Sequence, residues 1–463
     1  MTHVDIPAVS DRYRWPDSDS VFAPDAWTTV ADGSRRRTMP ESAASLRRDS
    51  RWPAFFPSAI SVVTSVGPDG PVVEKVVGAS IVNRFPYVVA LSLCRTDLSD
   101  RHYARTEALR AMERSGEVAV QFLEPGPALE RVLRAVADVP DARAADRLRQ
   151  AGLPSSPGAT VGSPVLDDAY LVYEGSAVRP GTDFDGEPVN GSPWVDVGSH
   201  RVMLFEITAI QLRRDIADGE STINWQSLPD WNGGALAGAG EASVPRGGYV
   251  KSYTARYRYP SAATASFVAD DLVRGRRVKI LPRSAADQVE VDNDRARWPC
   301  FFPSSVGMVT STDREGRRNV MPCGSTTIVS RDPLVVAPCI SYAAINDRYA
   351  PRHSLDAILE TGRFGCSVPF LSDAVVAGIT YSGNTSLRDD PDKLAHSGFA
   401  ADDVDGSPRL LGFPVHFSCR LVDRVRLGTH WMLLGEATSV VVDPAVSAAN
   451  ALSWSPWATV SPR

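Results

Sequence analysis

One segment occurs twice in this chain, and this repetition limits the fold more than any other feature of the sequence. RWPAFFPSAISVVTS begins at Arg51 and returns as RWPCFFPSSVGMVTS, which begins at Arg297. A match of this length between distant segments indicates a duplicated structural unit. At 463 residues the chain is also too long for one compact core and suits two domains of ordinary size. We therefore expect two homologous domains, here called the first copy and the second copy.

The match continues along most of both copies. VNRFPYVVALSL (82–93) aligns with VSRDPLVVAPCI (329–340), and the segment that starts at Tyr103 aligns with the one that starts at Tyr349. A Gly-x-His sequence then precedes a late apolar strand in each copy, as GSHRVMLFE in the first and GTHWMLLGE in the second. The two copies are therefore homologous over most of their length.

The repeat also extends upstream. YRWP at Tyr13 resembles YRYP at Tyr257, and an Arg-rich stretch follows each. The Gly/Ala-rich residues 233–248 have a composition suited to an exposed flexible connection. The predicted organisation is an N-terminal extension of the first repeat (1–50), a divergent first domain (51–232), a connection with the second repeat's own extension (233–296), and a second domain (297–463).

The local patterns predict strands with a helix in each copy. ISVVTS, VVALSL and VMLFEITAI are short β-branched runs bounded by turn residues. LDAILETGRFG (355–365) places apolar residues on one helical face, with a predicted N-cap at His353–Ser354 and a C-cap at Gly362. TEALRAMERSG is the equivalent helix of the first copy. We therefore predict a mainly β, α+β fold with an antiparallel barrel in each copy.

Composition restricts the class of partner. Apolar residues make up 43% and charged residues 22% of the chain, as in globular proteins. The net charge of −6 argues against nucleic acid or an anionic membrane as the main partner and favours a small molecule. We find no signal pattern, no apolar run that spans a bilayer and no metal-ligand spacing, so we expect a cytoplasmic protein without a metal site. The cysteines are expected to be reduced and mostly buried: Cys94, Cys300, Cys323, Cys339, Cys366 and Cys419.

A family resemblance rests on a series of ordered motifs in the second copy. These are GMVTS (307–311), MPCGSTTIVSRDPLVV (321–336), PRHSLDAILETGRFGCSVP (351–369), SGNTSLRDDPDKLAHSGF (382–399) and LGTHWMLLGEA (427–437). In this order they resemble the flavin reductase-like family of FMN-binding split barrels. The resemblance implies two tandem split β-barrels that form an intramolecular pseudo-dimer, with FMN, or FAD held by its FMN moiety, in a groove between the barrels. Further dimerisation of the tandem chain stays open.

The resemblance also implies the residues that hold the cofactor. A flavin phosphate needs free backbone N–H groups, hydroxyl donors and cations. The predicted cofactor-binding residues are Cys323, Gly324, Ser325, Thr326, Thr327, Arg352, Ser354 and Lys393. His430 stands at the family's Gly-Asp-His position, with Thr429 in place of Asp, and is the predicted active-site residue. The alternatives are an ordinary turn at 323–327, a solvated Arg352 and a structural His430.

The first copy departs further from the family pattern. Gly78 stands at the Ser325 position, whereas Thr106 and Ala108 replace the predicted phosphate-binding residues of the second copy. Asp146–Arg147 replaces the Asp-Lys pair, and extra residues lie around 179–196. The second copy itself has Pro322 and Gly324 where the family has Thr and Asn. We therefore predict one flavin site per chain, with the first copy as a wall, lid or substrate-binding partner of that site.

The predicted function is that of an NAD(P)H-dependent flavin oxidoreductase. Without a Rossmann GxGxxG sequence, NAD(P)H is expected to bind transiently across the flavin, as in this family. Reduced flavin would serve a partner of the two-component monooxygenase class or would reduce a small molecule directly. Two alternatives stay open: a flavoenzyme that oxidises or rearranges one metabolite without general reductase activity, and a split barrel that is not catalytic or binds another cofactor such as haem.

Overall fold

The computed structural model describes part of the chain, and the following applies to that part. The described residues are 28–29, 35–38, 61–76, 78–83, 86–95, 106–123, 127–137, 148–149, 152–183, 185–198, 200–213, 222–223, 257–258, 266–268, 277–281, 306–331, 333–344, 351–369 and 372–442. The predicted aromatic repeats at Arg51 and Arg297, the Gly/Ala-rich connection at 233–248 and Asp146–Arg147 lie outside these residues.

Antiparallel strands make up most of the described structure. Those before the second copy are β1 (Thr28–Thr29), β2 (Arg35–Thr38), β3 (Ser61–Gly67), β4 (Gly70–Val76), β5 (Gly78–Asn83), β6 (Val88–Cys94), β7 (Glu117–Leu123), β8 (Ser155–Ser156), β9 (Val165–Leu166), β10 (Ala169–Ala177), β11 (Trp194–Val197), β12 (His200–Arg213), β13 (Thr222–Ile223), β14 (Tyr257–Arg258), β15 (Ser266–Val268) and β16 (Arg277–Leu281). Those of the second copy are β17 (Gly307–Thr312), β18 (Arg318–Cys323), β19 (Thr326–Arg331), β20 (Leu334–Ser341), β21 (Arg363–Val368), β22 (Ala401–Val404), β23 (Ser407–Leu410), β24 (Val415–Arg426) and β25 (His430–Val442). The strands predicted at ISVVTS, VVALSL and VMLFEITAI are confirmed as β3, β6 and β12.

Helices are few in the described part of the chain. They are α1 (Glu107–Ser115), α2 (Pro127–Ala137), α3 (His353–Thr361), α4 (Asp373–Asn384) and α5 (Lys393–His396). The two predicted helices are confirmed as α1 and α3, and both end at a glycine with positive φ, Gly116 at 66° and Gly362 at 68°. Only glycine adopts this left-handed conformation without steric cost, which is why these positions stop the helices.

The predicted start of α3 is wrong. The helix already includes His353, and Arg352 occupies the N-cap position without a side-chain capping bond. Ser354 does not cap the helix because its Oγ accepts a hydrogen bond from Asn319 Nδ2 at 2.8 Å. The backbone N–H of Leu355 instead donates to the carbonyl of Arg352 at 2.9 Å. The unexpected start therefore follows from a contact between α3 and β18 that the local sequence does not reveal.

The strands form one large sheet around each copy. The first sheet has the order β15-β16-β12-β10-β7-β3-β4, with β6, β5 and β11 joined through β12 and β6. The second has the order β1-β2-β25-β24-β21-β17-β18, with β20 paired to β25 and β19 paired to β20. The same sequence of pairings occurs in both copies. The two tandem barrels predicted from the repeat are confirmed.

The upstream extensions cross over between the copies. β2, which precedes the first copy, pairs with β25 of the second, and Arg35 lies opposite Val442. β16, which precedes the second copy, pairs with β12 of the first, and Ile280 lies opposite Ile210. Each extension thus completes the sheet of the other copy. This exchange joins the two barrels by strand pairing in both directions.

A hydrophobic core also lies between the barrels. It contains fully or almost fully buried side chains from both copies: Val82, Val88, Ala90, Val195, Val197, Val202 and Leu204 from the first, and Val329, Val335, Ala337, Cys339, Val425, Leu427, Met432 and Leu434 from the second. These residues lie on strands β5, β6, β11 and β12 of one barrel and, apart from Leu427 between two strands, on β19, β20, β24 and β25 of the other. Burial of this apolar surface stabilises the pseudo-dimer within a single chain.

The close contact between β5 and β19 gives a first prediction. A Cβ at Gly78 would lie 2.9 Å from the carbonyl oxygen of Ile328 and 2.9 Å from Ser92 Cβ. Gly78→Ser introduces the residue type that the second copy has at the equivalent position, Ser325. It is expected to lower the free energy of unfolding by about 1 to 3 kcal/mol through overpacking. Gly181→Ser is the matched control, since only Val189 Cγ2 lies near its Cβ, at 3.9 Å. Equal urea midpoints for the two variants would contradict this account of the interface.

Candidate functional site

The turn between β18 and β19 carries the first group of predicted cofactor-binding residues. Cys323 ends β18, Gly324 and Ser325 form the turn, and Thr326 begins β19. Thr326 Oγ1 donates to the carbonyl of Cys323 at 3.0 Å, and the backbone N–H of Cys339 donates to the carbonyl of Ser325 at 3.2 Å. Cys323 and Thr326 are buried, whereas the two residues of the turn are partly exposed. A hydrogen bond therefore holds the turn against β20, and Gly324 and Ser325 stay partly accessible.

Two buried hydroxyls near this turn lack a hydrogen-bond partner within the described structure. They are Thr327 Oγ1 on β19 and Ser341 Oγ at the end of β20. A buried polar atom without a partner carries a free-energy cost and calls for an explanation, such as a ligand that forms the missing hydrogen bond. Thr327 belongs to the predicted site. Ser341 was not predicted, although a polar residue at the end of the apolar run LVVAPCIS was a signal for it.

The start of α3 carries the second group. Arg352 is half-buried, and Ser354 is 3% exposed. The backbone N–H of Arg352 donates to the carbonyl of Ser341 at 3.2 Å. Asn319, the donor to Ser354, was not predicted and is 2% exposed. Because no side chain caps α3, the N–H groups of its first turn and its positive dipole end favour an anion here.

Lys393 begins α5 and is only 3% exposed. Burial, and to a smaller extent the positive charge of Arg352, lower the pKa of Lys393 from 10.5 to about 8, whereas Asp390 opposes the shift. The helices that carry Arg352 and Lys393, α3 and α5, both pack against β18, which brings the two positive charges within electrostatic range of each other. A buried ammonium beside a guanidinium is costly in the free protein, and an anion between the two would relieve that cost.

His430 is the first residue of β25 rather than part of the preceding loop, and His200 likewise begins β12. In the β20–β25 pairing His430 lies opposite Ser341. Its Nδ1 lies 2.7 Å from Thr429 Oγ1. The prediction that this histidine lies in the loop before the strand is therefore wrong, because the pairing of β25 with β20 extends to His430 itself.

The end of β20 brings the predicted residues together. Cys339 holds the turn at Ser325, and Ser341 two residues later both accepts from Arg352 and pairs with His430. Lys393 joins this group through its interaction with Arg352. The structure therefore gathers the turn, the start of α3, the buried lysine and His430 around one strand end. This arrangement offers hydroxyls, free N–H groups and two cations to an anionic ligand, with an imidazole nearby.

The equivalent positions of the first copy are built differently. Thr106 caps α1, since its Oγ1 accepts from the backbone N–H of Leu109 at 3.1 Å. Ala108, at the Ser354 position, is buried and has no polar side-chain group. His200 Nε2 lies 3.4 Å from Cys94 Sγ. A helix that begins with a threonine cap instead of an arginine offers fewer groups to a phosphate.

The extra residues of the first copy reach the second copy. Asp183, whose side chain is 1% exposed, forms an ion pair with Arg426 and accepts a hydrogen bond from Tyr342 Oη at 2.7 Å. The backbone N–H of Asn190 donates to the carbonyl of Arg426 at 2.9 Å. The Arg426 guanidinium also lies over the rings of Tyr342 and Trp431, 4.7 and 5.6 Å from their centroids. The insertion is therefore anchored beside the strand that His430 begins.

The described residues contain thiols but neither a metal-binding cluster nor a membrane-spanning helix. Cys323, Cys339, Cys366 and Cys419 are buried, Cys94 is partly exposed, and none of these five forms a disulfide. Burial raises the pKa of Cys339, Cys366 and Cys419, so these thiols stay protonated at neutral pH. Within the described residues, no group of three or more His, Cys, Asp or Glu is arranged to hold a metal ion. None of the described helices is both long and apolar enough to cross a bilayer.

Comparisons with known proteins agree with the repeat. Among solved structures, flavoredoxin of Desulfovibrio vulgaris (Miyazaki F) shares 25% identity, with a TM-score of 0.27 and coverage of 31% of this chain and 72% of that one. Nitrilotriacetate monooxygenase component B from Bacillus cereus shares 19% identity, with a TM-score of 0.31 and coverage of 36% and 83%. A search of curated proteins gave no match. The model of the flavin reductase like domain matches residues 53–232 and again 299–456. The chain therefore belongs to the flavin reductase-like domain family and contains that domain twice.

Proposed function

We propose that the chain is a flavin-dependent oxidoreductase of the flavin reductase type, with one flavin site in the second copy. The observation that carries this proposal is the pair of cations at an uncapped helix start. Arg352 stands at the start of α3, and the buried Lys393 lies on α5, which packs against the same strand β18 and whose charge interacts with that of Arg352. In contrast, α1 of the first copy begins with a threonine cap. A phosphate monoester has the charge and the acceptor atoms that such a site satisfies.

The residues of the second copy fit FMN, or FAD bound through its FMN moiety. In the proposal Arg352, Ser354, Lys393 and the first N–H groups of α3 bind the phosphate. The turn residues 323–327 bind the rest of the cofactor, and the unpartnered Oγ1 of Thr327 gains an acceptor or donor there. A bound flavin supplies the hydride acceptor for a nicotinamide donor, chemistry that no side chain of this chain supplies by itself.

His430 is the proposed active-site residue. An imidazole accepts a proton in its neutral form and donates one when charged, so it can hold a proton for the reaction near neutral pH. The strand pairing with Ser341 and the bond to Thr429 fix the position of this ring. The first copy contributes the wall on the opposite side of the barrel interface.

The same proposal includes the electron donor and the electron acceptor of the flavin. We propose NADH or NADPH as a transient hydride donor, and a cytoplasmic monooxygenase component or a small molecule as the acceptor of electrons from the reduced flavin. A second candidate is direct action on one metabolite, which the insertion favours because Asp183 anchors it beside Trp431 and Arg426. In that case the insertion would shape a substrate pocket.

The absorbance spectrum of the purified protein tests the proposal. We expect a flavin absorbance band at about 450 nm, either in the protein as purified or after addition of FMN. This band should bleach when NADH or NADPH is added anaerobically. A flavin band that neither nicotinamide bleaches would favour the metabolite-specific enzyme. A protein that gains no flavin absorbance when incubated with FMN or FAD would contradict both.

A further inference from the structure

The loop before β25 is held by a side chain of the other copy. Asn83, the last residue of β5 in the first copy, places its Oδ1 3.0 Å from the backbone N of Thr429, 3.0 Å from Thr429 Oγ1 and 3.1 Å from the backbone N of His430. Asn83 is 2% exposed and Thr429 is fully buried. The predicted active-site histidine of the second copy therefore depends on one amide of the first.

The orientation of this amide is fixed from its other end. Asn83 Nδ2 donates to the carbonyl of Pro86 at 2.8 Å, so Oδ1 is the atom that faces Thr429. An amide oxygen only accepts hydrogen bonds. All three groups around Oδ1 must therefore act as donors, including the hydroxyl of Thr429.

This requirement determines where the proton of His430 lies. The Thr429 hydroxyl has a single proton, which it gives to Asn83 Oδ1. His430 Nδ1 lies 2.7 Å from the same hydroxyl oxygen. With its proton already donated, this oxygen can only accept a hydrogen bond from Nδ1. The neutral imidazole thus carries its proton on Nδ1 and its lone pair on Nε2. The hydrogen bond at one ring nitrogen sets the tautomer of the other.

We propose that Asn83 is a positioning residue that acts through Thr429 to fix the orientation and tautomer of His430. The inference deepens the proposed function and rests on it only for its catalytic consequence. In this tautomer Nε2 of the neutral ring accepts a proton, and it donates one only as the imidazolium. The first copy, which has Thr106 and Ala108 at the positions of Arg352 and Ser354, thus contributes to the site by setting the chemistry of its histidine.

The second copy supports the same loop from its own side. The backbone N–H groups of Tyr342 and Ala343 donate to the carbonyl of Thr429 at 3.1 and 3.4 Å. These bonds hold the backbone but leave the Thr429 side chain to Asn83. Removal of the Asn83 side chain is therefore expected to change the proton on His430 more than the path of the chain.

The test is the ¹⁵N NMR spectrum of the histidine rings in the full-length, flavin-free protein, with His430→Gln to assign the signals. We expect a protonated Nδ1 and an unprotonated Nε2 for His430 at a pH where the ring is neutral. In Asn83→Ala the Thr429 hydroxyl is released to donate to Nδ1, so the proton should move to Nε2. Thr429→Val should also remove the preference for Nδ1–H, and Thr429→Ser should keep it.

A matched control and a kinetic measurement complete the design. Asn190→Ala should leave the His430 signals unchanged, because among the described residues the Asn190 side chain bonds only Ser192, while its backbone contacts the second copy. A wild-type ring protonated on Nε2, or an Nδ1–H tautomer that survives in both Asn83→Ala and Thr429→Val, would overturn the inference. If the tautomer changes as expected, Asn83→Ala should also reduce the rate of flavin reduction about tenfold at unchanged flavin affinity. An unchanged rate would count against the catalytic role of His430 in the proposed function, not against the tautomer.

Discussion

Removal of the positive charge of Arg352 or Lys393 is expected to weaken flavin binding by about 10- to 100-fold, the value of one charge-assisted hydrogen bond. Arg352→Met and Lys393→Met keep much of the side-chain volume. Because Lys393 is only 3% exposed, its replacement by Met removes a buried charge and should leave the free protein as stable or more stable. The combination of lost affinity and unchanged or higher Tm separates a binding role from a structural one.

The controls for these variants come from the same chain. Arg314→Met removes an exposed guanidinium of the second copy, 72% exposed, and should leave the dissociation constant unchanged. Thr106→Ala removes the cap of α1 in the first copy, which should cost about 1 kcal/mol of stability without loss of flavin. Titration of FMN by fluorescence quenching measures all of them. Equal affinities for Arg352→Met, Lys393→Met and Arg314→Met would contradict the site.

The pKa of Lys393 adds a pH dependence to this prediction. In the free protein that pKa is lowered to about 8, so the ammonium loses its proton as the pH rises through this value. A bound phosphate favours the charged form, and affinity should therefore be highest below pH 8 and fall above it, by at most about tenfold per pH unit. In Lys393→Met this decrease should be absent. The opposite slope in the wild type would show that Lys393 does not face the phosphate.

Asp183→Ala is expected to lower the free energy of unfolding by about 2 to 4 kcal/mol. The substitution leaves the guanidinium of Arg426 without its carboxylate and removes one of the two acceptors of the Tyr342 hydroxyl. It also frees the backbone N–H groups of Asp185 and Glu187. The loss stays below that of a fully buried pair because 24% of the Arg426 side chain is exposed. Urea unfolding measures it.

The same variant has a defined pH dependence. Burial raises the pKa of Asp183, but the bonds from Tyr342, the Glu187 backbone and Arg426 outweigh it, so the pKa lies below its ordinary 3.8. This stabilisation is complete above that value and is lost as the pH falls through the folded pKa. The difference between the wild type and Asp183→Ala should therefore shrink in acid. Asp185→Ala, an exposed neighbour, is the control, and a similar loss there would point to the loop rather than to the ion pair.

The sequence predicted the parts of the fold that depend on local patterns. The repeat at Arg51 and Arg297 predicted two barrels, Gly362 predicted the end of α3, and the equivalent segment of the first copy predicted α1. These predictions succeed because a left-handed glycine or a β-branched run specifies its own backbone conformation. The residues predicted for the cofactor also lie together, although their role remains a proposal.

The contacts between the copies could not be predicted in the same way. The pairing of β2 with β25 joins residues 35–38 to 439–442, and no local pattern identifies a strand partner so far along the chain. Asn83 and Asp183 look like ordinary turn residues in sequence, in NRFP and TDFDG. Their roles depend on which groups of the second copy face them after folding. The divergence of the first copy is thus visible in sequence, but its contribution to the site is visible only in the structure.

The number of flavin molecules bound per chain tests the central claim most directly. Isothermal titration of the purified 463-residue protein with FMN, and with FAD, should give one site per chain for the flavin that binds. That site should be lost in the Arg352→Met, Lys393→Met double variant and kept in Thr106→Ala. Two sites per chain, or one site that survives the double variant, would contradict the account that the second copy binds the flavin and the first copy shapes its surroundings.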